Sequence, residues 1–364
     1  MYRTLLKIKK GYFMKKSIIS VFTVLLLASA AGAQNVSLTN TFGGNDDNVG
    51  TSDFLKFDKD GNKQDAIVGD RIQLDVASEN VDARVRLNIN GDKNYAPGLQ
   101  AYANVRPVQP LNIIGGNKFF WKWATSPAYL SAIDDYLTHG KLADDNGAGL
   151  VLNIAPESSD IGFKFASAAG SQSRLDLNFG AEFSIKNIVT ISATAQDVTE
   201  KTRSLGAYVG LNSVKNLILN AGYTYNNSDV NYIQGTQNLI QFSVGYTFEE
   251  LKFSLYADLL AGLNNKSSFN TAADDFAELE NGIPLTAVVR ANYKANEKLD
   301  FYTSVKFNHK LLADSTSDTV TLYPYFDYYT SLGTIRSGLR VFFNDKDGFN
   351  GFNIPFSWQY KISK

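Results

Sequence analysis

Arg84 and Arg86 share one face of an alternating stretch, Val81 to Ile89. Lys306 and Arg340 take the polar phase of two later stretches, with Arg71 and Arg336 nearer the ends of theirs. Between them in the chain, the segment from Trp121 to Asn146 holds four acids, Asp134, Asp135, Asp144 and Asp145. Cations fixed on a wall and acids on a facing loop set up a transverse field across a wet gap. A field of that kind sorts ions by sign and hydrophilic solutes by charge. The competing arrangement is local. Arg84 and Arg86 then pair with Asp75 and Asp82, and the acids belong to a surface loop.

Other chemistry finds less support. The chain has no cysteine, so disulfides, thiolate metal sites and a cysteine nucleophile are excluded. It has two histidines, His139 and His309. A hydrolase needs a base placed beside a nucleophile. His139 falls in the acidic segment, and His309 has the apolar phase near a strand end. No enzyme, no cofactor and no phosphate-cradling glycine loop is expected. Asp58-Lys59-Asp60-Gly61-Asn62 resembles the opening of a calcium loop. An EF-hand requires Gly at position six and Glu at position twelve. Here those positions are Lys63 and Gly69, so this segment and Asp345-Lys346-Asp347-Gly348 read as polar turns and no metal is expected.

The elements that would position these side chains are strands. From Ile240 to Phe248 one face is Ile240, Phe242, Val244, Tyr246 and Phe248, and the other is Gln241, Ser243, Gly245 and Thr247. From Lys252 to Leu259 the apolar face is Phe253, Leu255, Ala257 and Leu259. Successive side chains of a strand point to opposite faces, so period two marks strands. A polar loop, Asn227 to Asn238, precedes this pair, and a tight turn at Glu249-Glu250 joins it. Long loop, short turn, long loop repeats along the chain, as in transmembrane β-barrels. The expectation is an all-β, antiparallel transmembrane barrel with long extracellular loops and short periplasmic turns. The pattern gives 18 strands, with 16 the alternative. Gly43 to Gly69 is read as one long polar loop, and the strand from Leu111 to Phe120 is poorly phased. A soluble secreted β-sandwich is the alternative fold. Two features favour the barrel. The polar faces carry Gly, Ser, Thr and Asn rather than many charges, and aromatics gather toward strand ends.

Residues 1–33 have the layout of an export signal. Met14-Lys15-Lys16 starts it, Ile18 to Ala28 forms the apolar core, and Ala31-Gly32-Ala33 precedes Gln34. Met14 is a plausible start. These residues hold six Lys/Arg and no Asp/Glu, which leaves 29 Lys/Arg against 36 Asp/Glu in 34–364, a net charge of −7. An acidic balance argues against nucleic acid. Residues 34–364 are expected to form one barrel domain.

The export junction, the strand series and the closing Phe352 to Ile362 together resemble the bacterial outer-membrane porins. In that closing stretch Phe352, Ile354, Phe356, Trp358, Tyr360 and Ile362 share one face, although the chain ends on Ser363-Lys364 rather than an aromatic residue. The resemblance implies passive diffusion of small hydrophilic solutes and ions through a water-filled pore in the outer membrane. It implies bilayer lipid and lipopolysaccharide as surroundings, and a homotrimer is possible. It also implies a constriction in which the loop after the fifth strand, with Asp134 and Asp135, faces Arg84, Arg86, Lys306 and Arg340. The alternative from another class is a surface adhesin or structural barrel.

Overall fold

The computed structural model describes residues 35–42, 52–64, 69–89, 98–108, 111–117, 146–154, 159–169, 177–196, 198, 204–226, 238–264, 283–311 and 318–363. The expected export segment and the acidic segment with Asp134 and Asp135 lie outside the described residues.

The strands are β1 (Asn35–Phe42), β2 (Ser52–Phe57), β3 (Lys63–Gln64), β4 (Asp70–Ala77), β5 (Val81–Ile89), β6 (Gly98–Val108) and β7 (Leu111–Asn117). Next come β8 (Asn146–Ile154), β9 (Ile161–Ala169), β10 (Leu177–Ile185), β11 (Val189–Gln196), β12 (Ser204–Leu211), β13 (Leu217–Asn226) and β14 (Asn238–Phe248). The series ends with β15 (Phe253–Asn264), β16 (Ile283–Asn296), β17 (Leu299–Leu311), β18 (Thr319–Thr330), β19 (Gly333–Gly338), β20 (Arg340–Asn344) and β21 (Gly348–Ser363). All belong to one antiparallel sheet, and neighbours in sequence pair from β4 through β19. β1 pairs with β4 on one edge and with β21 on the other, so the sheet closes on itself.

β19 and β20 form one wall strand. Tyr325 opposes Gly338 and Leu322 opposes Val341, which is one unbroken register. The interruption falls at Leu339, whose N–H donates to the Pro324 carbonyl at 2.9 Å. Proline has no N–H to return, so the ladder loses a bond there. Counting that strand once, and leaving the β2–β3 hairpin aside, the wall has 18 strands among the described residues, as the alternation suggested.

The stretch from Gly43 to Gly69 is not all loop. β1's ladder on β21 stops at Phe42 opposite Trp358, and β2 takes up the same edge from Ser52 opposite Phe356 to Phe57 opposite Phe352. The Phe57 and Phe352 rings stack at 4.9 Å. Gly351, at φ 121°, allows this approach, since a Cβ there would lie 2.4 Å from the Phe57 carbonyl oxygen. Six residues with a bulge between Asp53 and Leu55 carry too few alternations to stand out from a polar surrounding. β7 is described from Leu111 to Asn117, and residues 118–120 lie outside the described residues.

Exposure separates the two faces. Phe242 and Val244 of β14 are 51% and 48% exposed, whereas Gln241 and Ser243 are each 1% exposed. Leu255 and Leu339 are outward and exposed too. A soluble sandwich buries apolar residues and wets polar ones. On β14 the order is reversed, which suits hydrocarbon outside and polar groups inside, whereas on β4 and β5 the outward Val76, Ala83 and Val85 are buried. Trp358 is exposed near one rim, and its Nε1 donates to the Leu332 carbonyl in a turn at 3.1 Å. A ring with an apolar body and a satisfied polar tip suits a membrane interface.

Val244 sits near the middle of its strand. Val244→Arg is expected to cost ~2–4 kcal/mol of folding stability in lipid vesicles, the cost of Arg at the midplane of a barrel's lipid face. Glu250→Arg, in the adjacent exposed turn, should stay within ~0.5 kcal/mol. Denaturant titration of both variants checks this. Equal losses would contradict the assigned facing.

Candidate functional site: the polar inner wall

The cationic side chains singled out by phase all lie on the inner face, but in two groups. Arg84 and Arg86 are on β5, while Arg340 is on β20. β4, β1 and β21 stand between those strands in the wall. Lys306, on β17, is nearer Arg340, and the two strands flank β18.

In the first group, Arg84 Nε pairs with Asp75 Oδ1 at 2.6 Å across adjacent strands. Arg86 Nε donates to Gln73 Oε1 at 2.8 Å, and Gln73 Nε2 donates to Asp75 Oδ2 at 2.6 Å. Arg86, Gln73, Asp75 and Arg84 therefore form one chain of hydrogen bonds, the local pairing that alternation alone left open. Both partners of the ion pair are about a third exposed, with side chains 31% and 30% accessible. Water screens such a pair strongly. Asp82 has a different partner, Arg106, whose Nη2 and Nε also donate to the carbonyls of Ser78 and Glu79. Arg106 thus fastens the β4–β5 turn.

The second group is larger than phase and charge suggested. Arg290, Arg336 and Arg340 lie against inward tyrosines. The Arg336 guanidinium is 5.0 Å from the Tyr325 ring centre and 6.0 Å from that of Tyr302. Arg340 is 4.7 Å over Tyr323, and Arg290 is 5.8 Å over Tyr256. Tyr302 and Tyr325 stack at 4.6 Å with ring planes 5° apart, and Tyr323 stacks on Tyr325 at 4.6 Å. Strand alternation produces this stack, because Tyr323, Tyr325 and Asp327 share the inner face of β18 and Tyr302 opposes Tyr325 on β17. A guanidinium over a tyrosine face gains ~0.5–2 kcal/mol, more when water is excluded. Arg290 and these tyrosines were not singled out in the sequence, although each holds an inward position of its strand. Their clustering was not legible, since it depends on register across β15 to β20.

Other sites resolve as structure. His309 Nδ1 meets Asp318 Oδ1 at 2.5 Å, and its ring lies 6.1 Å from Phe307. A hollow of about 780 Å³ opens on the outward side, where Phe165, Phe179 and Leu205 surround Ala181 and Ala193. It faces the apolar surroundings and is no place for a hydrophilic solute.

No family model matches the chain, and no curated protein matches it. Solved structures do. The chain is similar to OccK1 (OpdK) of Pseudomonas aeruginosa, with TM-score 0.58, 11% identity, and 91% of this chain and 99% of that one covered. It is similar to OccAB3 of Acinetobacter baumannii, with TM-score 0.56, 10% identity, and 90% and 100% covered. OccK5 (OpdH) of P. aeruginosa gives TM-score 0.56 at 10% identity, with 91% and 98% covered. The chain has an outer-membrane porin fold. At such identity the likeness extends to the fold and not to a solute.

On this porin fold the calcium-like turn after β2 is held by its own donors. Asp58 Oδ1 accepts from the backbone N–H of Asp60 at 3.0 Å and of Asn62 at 2.8 Å. Asp58 Oδ2 accepts from Asn62 Nδ2 at 3.2 Å and Gln64 Nε2 at 2.9 Å. Both oxygens thus serve the turn. Among the described residues no group of three or more His, Cys, Asp or Glu is placed to hold a metal ion. The Asn62 backbone N–H is the main cause holding the Asp58 carboxyl below its usual range. A depressed folded pKa gives stability that is present above the unfolded value, ~3.9, and lost as pH falls through the folded value. Amide exchange at Asn62 should therefore be protected at neutral pH and accelerate, relative to intrinsic rates, once the solution falls below that range. Unchanged protection into strong acid would contradict the role given to Asp58.

Proposed function

We propose that the chain is a pore of the bacterial outer membrane, for passive diffusion of small hydrophilic solutes and ions. One observation carries this reading. The closed sheet turns its apolar residues outward and its polar and charged residues inward. On this reading residues 1–33 are an export signal and the barrel is surrounded by bilayer lipid and lipopolysaccharide, with a homotrimer as the candidate assembly. The reading involves no catalytic step.

The constriction in this proposal pairs Asp134 and Asp135 with the inner-wall cations Arg84, Arg86, Lys306 and Arg340. Support for the wall half comes from the inward phase of all four cations. Arg84 brings Asp75 with it, so its contribution to the field is weaker than its charge suggests.

A second reading has a specific observation in its favour. Leu260 and Val288 point inward and are 0% and 1% exposed, and inward Asp258 is 2% exposed. Side chains this dry on the inner face are covered by other groups, as they would be in a barrel with a filled lumen. A barrel with its lumen closed throughout would act as an adhesin or structural protein.

Planar bilayers separate the two. The pore reading expects stepwise, ohmic single-channel currents from the purified protein, and folded protein that conducts nothing would sink it. Deleting residues 126–144 should enlarge the conductance, and Asp134→Asn with Asp135→Asn should make the pore less cation-preferring. Unchanged conductance and selectivity in both would place that segment outside the pore.

A further inference from the structure

We propose that Asp327 is a selectivity-determining residue of this pore: it locks Arg336 into a neutral pair on a tyrosine seat, so that Arg336 adds no net charge to the lumen. The proposal rests on the pore reading above.

The geometry is specific. Asp327 and Arg336 are directly opposed on β18 and β19. Arg336 Nε donates to Asp327 Oδ1 and Nη2 to Oδ2, each at 2.6 Å. Two parallel bonds of this kind fix the guanidinium in the carboxylate plane as well as holding it near. Tyr325, 5.0 Å away, and Tyr302, 6.0 Å away, hold the guanidinium against their stacked rings. Asp327 is 4% exposed, so its carboxylate meets the lumen hardly at all. The Arg336 side chain is 29% exposed, against 5% for that of Asp327.

Glycine makes the seat possible. Gly338 opposes Tyr325 and lies two residues beyond Arg336 on the same face. A Cβ at 338 would fall 2.3 Å from the Pro324 carbonyl oxygen and 2.5 Å from Tyr325 Cβ. With no side chain there, β18 comes close enough to slide its tyrosine rings beneath the guanidinium.

The contrast with Asp75–Arg84 is informative. There both partners are about a third exposed and water competes for them. At Asp327 the carboxylate is dry, and breaking the pair from one side leaves the other charge uncompensated. Counting inner-wall arginines therefore overstates the positive field, by the whole charge of Arg336 as well as part of that of Arg84. The residue responsible is an aspartate that alternation alone shows only as one more inward polar group.

A neutral pair has a signature that a merely structural residue lacks. Reversal potentials in a salt gradient are measured on the full chain in planar bilayers, with KCl as the probe. Arg336→Gln uncovers Asp327 and should make the pore more cation-preferring. Asp327→Asn uncovers Arg336 and should make it more anion-preferring. Each shift should change the permeability ratio about twofold, as one unit charge several Å away does in a wet lumen. The double variant should return to the wild-type ratio. If either single variant fails to fold while the double folds with wild-type selectivity, the pair is again supported. Shifts of the same sign, no shift, or a double that does not return would overturn the assignment while the pore reading stands. Absence of conductance in the wild type would overturn the pore reading and this assignment together.

Discussion

A backbone in hydrocarbon has no water to satisfy its N–H and C=O groups, and the sheet answers that constraint by closing. The closure rests on one seam. β1 covers β21 from Ser363 to Trp358, and its eight residues reach no further. β21 is 16 residues long, so its remaining edge needs another partner. β2 supplies it from Phe356 to Phe352. Pro355, which lacks a donor, sits where the second ladder has its bulge. The two departures from regular pairing thus fall together, where one covering strand gives way to the next.

Closure decides what the inner wall can hold. Every inward side chain is shared between a curved wall and the lumen, and polar groups there must satisfy one another or meet water. The Arg86–Gln73–Asp75–Arg84 chain does the first at the edge of water. The Tyr302, Tyr323 and Tyr325 stack does it differently. It offers ring faces to arginines and lets Asp327 neutralise one of them. Tyr329 adds a hydrogen bond to Asp300 at 2.9 Å on the same face. Charges held on a wall in this way can set which ions pass.

Much of this was legible in the alternation. Period two along Ile240 to Phe248 and Lys252 to Leu259 identified strands, their outward face and, with the loop rhythm, the barrel. The inward phase of Arg84, Arg86, Lys306 and Arg340 was legible for the same reason. The Asp75 partner of Arg84 stood among the alternatives because it lies on the adjoining strand of a tight hairpin. β2 was missed because six residues give a weak period in a polar stretch, and its pairing partner lies some 300 residues away in the chain. The Asp327–Arg336 pair spans nine residues across a tight turn, as Asp75–Arg84 does, so it was open to the same reasoning and was not singled out. The tyrosine seat beneath it was not legible, because contact across β17, β18 and β19 follows from register and not from one strand's sequence.

The central claim is that one closed wall keeps lipid and lumen apart residue by residue. The chain has no cysteine, so a single introduced cysteine reports its own position without background. β17 is the clearest strand for this, since Phe301, Thr303 and Val305 are exposed outward while Tyr302, Ser304 and Lys306 face in. The measurement is the labelling rate of cysteines at positions 301 to 306 by a water-soluble, membrane-impermeant thiol reagent, with the protein in lipid vesicles. The account predicts fast labelling at 302, 304 and 306 and slow labelling at 301, 303 and 305. Uniform rates, or the opposite alternation, would contradict it.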